Sequence, residues 1–216
     1  MRRRPTAFLL AVLLGGLLPA TAAAQELARP DGWKVRFDRP GASEADLVQF
    51  VEMPPGWHIT TGPAGIFWDP ERTATGDFRV EMDVFLFDPG GRREAFGLFF
   101  GGTDLEGPEQ SYGYFLVRDG GEYILKERAG AEAPTIRGWT GHDAVRSFRD
   151  RESGEVSVLN ELAVEAGPER VRFFVNGEEV DALPRERLPV DGVVGVRVNH
   201  ALNLHVARLE VVAAGG

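Results

Sequence analysis

Glu81 and Asp83 stand two residues apart in DFRVEMDVFLFD (77–88), an alternating stretch of the chain. Alternation with period two is the mark of a half-buried strand. It puts Phe78, Val80, Met82, Val84 and Leu86 on one face and Arg79, Glu81, Asp83, Phe85 and Phe87 on the other. The two carboxylates then lie about 6.6–6.8 Å apart along the strand. Such a pair can share acid–base work, grip a ligand, or simply belong to a solvated face. Cleaving a glycosidic bond requires two carboxyls flanking that bond, whereas these lie in a row, and Arg79 beside them can neutralise either. Glu81 and Asp83 are the candidate catalytic residues on this pattern.

A second group offers ligand contacts. Tyr112, Tyr114 and Arg118 share the face opposite Phe115 and Val117. Aromatic rings beside a charge suit sugars, whose C–H faces lie on ring planes while rim groups bond the hydroxyls. Cross-strand aromatic pairs also stabilise sheets in their own right. Trp57 and Trp68 bracket GWHITTGPAGIFWDP (56–70), and Trp139 sits in IRGWTGH (136–142); each either packs an edge or lines a cleft. These six residues are the candidate binding set. His58, His142, His200 and His205 lack the short fixed spacing of zinc ligands, so no metal ligand is assigned. No phosphate-cradling Gly-rich turn leads into a helix, and Gly-x-Ser-x-Gly is absent.

Strands must carry these side chains. Further candidates are 33–38, 47–53, 94–102, 111–119, 122–128, 155–166, 170–180, 192–199 and 202–212. Asp119-Gly120-Gly121 and Asn176-Gly177 read as hairpin turns, because Asn, Asp and Gly tolerate positive φ; Asp88-Pro89-Gly90-Gly91 and Asp191-Gly192 read the same way. Ser43 could cap a single helical turn in SEADLVQF (43–50), and no long amphipathic helix is evident. Ten or so antiparallel strands imply an all-β, two-sheet antiparallel jelly-roll sandwich.

The N-terminus reads as an address. Arg2, Arg3 and Arg4 precede an apolar run (7–20) and a small-x-small cleavage pattern at Ala22-Ala23-Ala24. The run is shorter than a membrane span needs. A signal peptide at 1–24 and a single domain at 25–216 are expected, with the protein secreted or periplasmic and without a membrane span after cleavage. The chain has no cysteine, which excludes disulfides, and a formal charge of −9. Nucleic acid is a poor partner for that balance.

The run 160–212 resembles the last third of concanavalin A-like (LamG-like) jelly rolls. It is similar to the bacterial secreted 3-keto-disaccharide hydrolase family in Asn160 before an apolar strand, the aromatic strand entering Asn176-Gly177, the Gly-rich strand 192–198 and the closing strand 202–212. The resemblance implies a glycan-related role: a non-catalytic carbohydrate-binding module of the cell envelope, or a glycoside or 3-keto-sugar hydrolase. It also implies that any bound metal would be calcium, through loop acids such as Asp104, Glu106, Asp119, Asp143 and Asp191. The chain departs from enzymes of this fold at three places. The third carboxylate position of laminarinase-type strands falls on Phe85 or Leu86. Glu94-Ala95-Phe96-Gly97 and Tyr112-Gly113-Tyr114 stand where the keto-sugar family has Asn-Ser-Gly and a Tyr-Glu pair. A third reading is a protein-interaction module with Phe85, Phe87, Phe96 and Phe174 as its apolar face.

Overall fold

Alternation is clearest in the strand that opens on Phe78, and there the side chains divide as the sequence requires. Every second residue from Phe78 to Leu86 is buried and those between are half-buried. The computed structural model describes residues 28–213; the signal peptide expected at 1–24 lies outside them. The strands are β1 (Lys34–Phe37), β2 (Gln49–Glu52), β3 (Trp57–Thr60), β4 (Gly65–Ala74), β5 (Phe78–Phe87), β6 (Ala95–Thr103) and β7 (Ser111–Arg118). They continue as β8 (Glu122–Ala129), β9 (Thr135–Gly141), β10 (Ser157–Ala166), β11 (Arg170–Val175), β12 (Glu178–Pro184), β13 (Gly192–Val198) and β14 (Asn203–Ala213). The described helices are single 3-10 turns, and none is long and apolar enough to cross a membrane.

Two seven-stranded sheets result, ordered β1-β4-β13-β6-β7-β8-β9 and β12-β11-β10-β5-β14-β3-β2, and every recorded strand pairing is antiparallel. Their inner faces interlock in one core: Phe67, Leu98, Phe100, Phe115 and Val196 from the first sheet meet Val80, Met82, Leu162, Phe173 and Leu204 from the second. Burial of these apolar side chains is the main force joining the layers. Phe96 belongs to this core at 1% exposure, so it cannot serve the exposed apolar face expected of it.

The turns divide into two kinds. Asp119-Gly120-Gly121 closes the β7–β8 hairpin, with both glycines at positive φ. Asn176-Gly177 closes β11–β12, with φ of 49° and 83° at its two residues, the left-handed pair that a two-residue hairpin demands. Asp88-Pro89-Gly90-Gly91 and Asp191-Gly192 are not hairpin turns: each leads from a strand of the second sheet to one of the first. Ser43 does cap one turn, Glu44–Asp46, its hydroxyl accepting from the Ala45 amide at 3.3 Å.

Strands β3 and β4 run through 56–70 and β9 through 135–141, none of them among the strands expected. Gly62-Pro63 separates β3 from β4, and β4 does not alternate, because Ile66, Phe67 and Trp68 are all buried in succession. The reason is a second apolar layer on the outside of the first sheet, made of Ile66, Trp68, Ala95, Phe99, Leu105, Tyr112, Tyr114, Leu116 and Ile124. Strands buried on both faces lose the polar–apolar rhythm.

Candidate functional site

The outer face of the second sheet carries Glu81 and Asp83, and both are held by arginines. Arg79 donates to Glu81 at 2.7 Å. Arg208, from the neighbouring β14, grips Asp83 with Nε at 3.0 Å and Nη2 at 2.8 Å and also pairs with Glu81. The ladder continues through Glu165, Arg172 and Glu179, with Phe174 between the guanidinia of Arg79 and Arg172 at 4.7 and 4.9 Å. Hydrogen bonding from Arg79, then from Arg208, outweighs partial burial and holds the Glu81 carboxyl below its usual range. An ionised, doubly paired carboxylate has no proton to give near neutrality. The adjoining recess, lined by Glu81, Phe174 and Arg208 among others, is about 200 Å3, below the size of ordinary ligand pockets.

The outer face of the first sheet is built differently. Strand register aligns Trp68, Gly195, Phe99, Tyr114 and Lys126 across five strands. The adjacent row is Ile66, Arg197, Gly97, Leu116 and Ile124. Gly195 is needed here for space: a Cβ would come within 2.4 Å of the Phe99 ring. Phe99, Tyr112 and Tyr114 form a continuous aromatic run, with centroids 5.2 and 5.7 Å apart. Burial raises both tyrosine hydroxyls above their ordinary pKa, so they stay neutral donors and acceptors.

Cations gather over this aromatic bed. The Arg197 guanidinium lies 4.8 Å from the Tyr114 ring centre, donates to the Tyr112 hydroxyl at 3.1 Å and pairs with Asp38. Burial disfavours its charge, but Tyr112 and Asp38 more than compensate and raise its pKa. Burial would raise Asp38, yet Arg197, and at longer range Arg128 and His200, hold its carboxyl below the usual range. Arg36 donates to the carbonyls of Leu105 and Gly107 at 2.7 and 2.6 Å, tying the β6–β7 loop onto the layer. With its amide oriented to satisfy both sides, the Gln110 oxygen accepts from Arg36 and Arg128 at 3.2 Å each. Lys126 forms no ion pair among the described residues; burial, then the charges of Arg197 and Arg128, lower its pKa.

Five of the six expected binding residues share this sheet. Trp68 and Tyr112 are sealed within the layer and Tyr114 keeps 4% exposure. Arg118 and Trp139 form its open end, with the guanidinium 3.7 Å from the indole centre and Trp139 at 38% exposure. Trp57 does not join them: it lies in the second sheet, packed on Trp33 at 4.5 Å and against the main core. Nor do Glu81 and Asp83 share a wall with Tyr114, since they lie in different sheets on opposite outer faces. Arg197, Lys126, Arg128, Arg36 and Asp38 were missed in the sequence. The signal was there in part: Arg197 is the one charge in GVVGVRV (192–198), a strand otherwise of valine and glycine.

No group of three or more His, Cys, Asp or Glu able to hold a metal occurs among the described residues. Several loop acids expected as calcium ligands have structural duties. Asp104 accepts from the Glu109 amide at 2.9 Å, Asp119 from Phe148 at 2.8 Å and Asp191 from Gly76 at 3.0 Å, while Glu106 pairs with Lys34.

No protein-family profile matches the chain, and no curated protein sequence does. Solved structures do resemble it. The carbohydrate binding module CBM66 from Bacillus subtilis gives a TM-score of 0.60 at 14% identity, over 84% of this chain and 96% of that one. A Bacillus subtilis protein of unknown function with a galectin-like fold gives 0.60 at 13%, over 84% and 89%. A Bacteroides ovatus mixed linkage glucan GH16 protein in complex with product gives 0.57 at 9%, over 87% and 97%. With the two antiparallel sheets, these likenesses make the chain a concanavalin A-like jelly roll.

Proposed function

We propose that this protein is a carbohydrate-binding module without hydrolytic activity, and that the outer face of the first sheet binds the glycan. The observation that carries the reading is the exposed Trp139 ring stacked by Arg118 at the open end of an aromatic bed crossed by cationic side chains. Rings and fixed hydrogen-bond donors in one surface are what a pyranose requires. Solved structures of the same fold include a carbohydrate binding module and a glucan-associated GH16 protein, which supports a sugar ligand. The pairing of Glu81 and Asp83 with Arg79 and Arg208 supports the absence of catalysis, because both carboxylates are tied into ion pairs, although Glu161 and Glu210 lie opposite them in register. The basic, apolar and small-residue pattern of 1–24 supports placing the protein outside the cytoplasm, secreted or periplasmic.

A glycan array followed by calorimetric titration of the full chain tests the reading. Binding to at least one polysaccharide is expected, with Trp139→Ala weakening it about tenfold through the lost ring contact. Failure to bind any glycan, or binding indifferent to Trp139, would remove the proposal.

A further inference from the structure

We infer that the glycan recognised here is acidic, its carboxylate or sulfate group held by Lys126 and Arg128 at the surface of the Tyr112–Tyr114 layer, with Arg197 lending its charge from within. The inference rests on the carbohydrate reading above and narrows it to one ligand class. The whole chain is acidic, at formal charge −9, yet Lys34, Arg36, Lys126, Arg128 and Arg197 lie on this one face. Register sets Lys126 opposite Tyr114 and Arg128 opposite Tyr112, and Arg197 reaches the same two rings from β13.

The acids nearby are already engaged. Asp38 pairs with Arg197 and Glu106 with Lys34. Arg36 spends its donors on the carbonyls of Leu105 and Gly107 and on Gln110. Two cations remain open to a ligand. Among the described residues Lys126 has no hydrogen-bond or ion-pair partner and Arg128 meets only the neutral Gln110 amide, and both are half-buried, whereas Arg197 is 6% exposed and committed to Asp38 and Tyr112. Like charges this close repel, and Arg197 and Arg128 both act on Lys126. An anion docked between Lys126 and Arg128 relieves that repulsion.

The opposite face sharpens the contrast. There Arg79, Arg172 and Arg208 are each paired among Glu81, Asp83, Glu165 and Glu179, three bases to four acids, so no positive charge is left over in that ladder. One chain thus neutralises its cations on one sheet and leaves them in excess on the other. A guanidinium and an ammonium side by side would hold a planar carboxylate or a sulfate, while the exposed Trp139 ring of the same sheet offers a face to the sugar.

The experiment titrates the full chain calorimetrically with four probes: oligogalacturonate, its methyl ester, a sulfated galactan and a neutral β-glucan. Lys126→Gln, Arg128→Gln and Trp139→Ala are measured beside the wild type, each checked for an unchanged melting temperature. Binding of an acidic probe at least tenfold tighter than the neutral glucan is expected. Lys126→Gln or Arg128→Gln should weaken it about tenfold, and added salt should weaken it further. Loss on methyl esterification assigns the anion as carboxylate; binding of the sulfated galactan alone assigns it as sulfate. Equal or tighter binding of neutral glucan, unaffected by the Gln variants but lost in Trp139→Ala, overturns the acidic class and leaves the carbohydrate reading standing. No binding of any probe or array glycan overturns both.

Discussion

Arg197 shows how much one side chain can decide at the residue scale. It is nearly enclosed, and its pairing with Asp38 is what makes that enclosure tolerable. Arg197→Met should therefore destabilise strongly, because it strands Asp38 and removes a donor from Tyr112. Removing one partner of a buried pair costs about 3–5 kcal/mol. With Asp38 keeping 32% of its side chain exposed, the low end, about 3 kcal/mol, is the expected loss in denaturant unfolding. Arg197→Lys should recover only part, since an ammonium cannot make the guanidinium's parallel contacts. Glu81→Gln with Asp83→Asn has a different expected outcome: a loss of about 1 kcal/mol from half-buried ion pairs and unchanged glycan affinity, read by calorimetry. A change in affinity would move the binding face to the other sheet. The types of residue suited to sugar contact were legible in the sequence, Trp139 and Arg118 above all. Their companions were not, since it takes strand register to bring Arg197 from β13 onto Tyr112 and Tyr114 of β7.

Elements were legible where one face is wet. β5 follows its alternation throughout, and the Asn176-Gly177 and Asp119-Gly120-Gly121 hairpins fall where their backbone needs place them. β4 was harder, because the second layer buries both faces of its first half and erases the period, whereas β6, buried on both faces too, still showed as the apolar run 94–102. Which sheet a strand joins was not readable from turn chemistry either, as the links after β5 and before β13 cross between layers. The pairing of β14 with β3 has a consequence for pH. It sets His205 opposite His58, with both Nδ1 atoms buried and unpaired. Burial lowers the pKa of each below 6.5, and for His58 the neighbouring His205 adds to it. Below pH 6.5 the unfolded chain therefore binds protons that the folded one resists, and stability rises with pH in that window. The stabilising difference is fully present above pH 6.5 and is lost as pH falls through the lower folded-state values. Thermal melts should show the midpoint dropping between neutrality and pH 5, and His58→Phe with His205→Phe should flatten that slope. A midpoint that holds or rises on acidification in the wild type would refute it.

At the scale of the whole molecule, the sandwich has two apolar layers and one sheet common to both. Phe173 fills the space between the sheets with Phe100 and Phe115, whereas Phe99 lies on the far side of the first sheet with Tyr112. Adjacent residues of β6, Phe99 and Phe100, thus point into different layers, so neither layer can loosen without disturbing the strand that serves the other. The two layers should unfold as one cooperative unit, as single domains of this size usually do. Phe173→Ala and Phe99→Ala should each lower stability by about 3–5 kcal/mol, the usual cost of emptying a packed aromatic site. Near-UV circular dichroism, sensitive to the Tyr112–Tyr114 layer, should follow the same transition as the far-UV signal in the wild type and in both variants. A separate early near-UV step in Phe99→Ala would mean that the aromatic bed under Lys126 and Arg197 is held independently of the sandwich, and its preorganisation for a ligand could not then come from the main core.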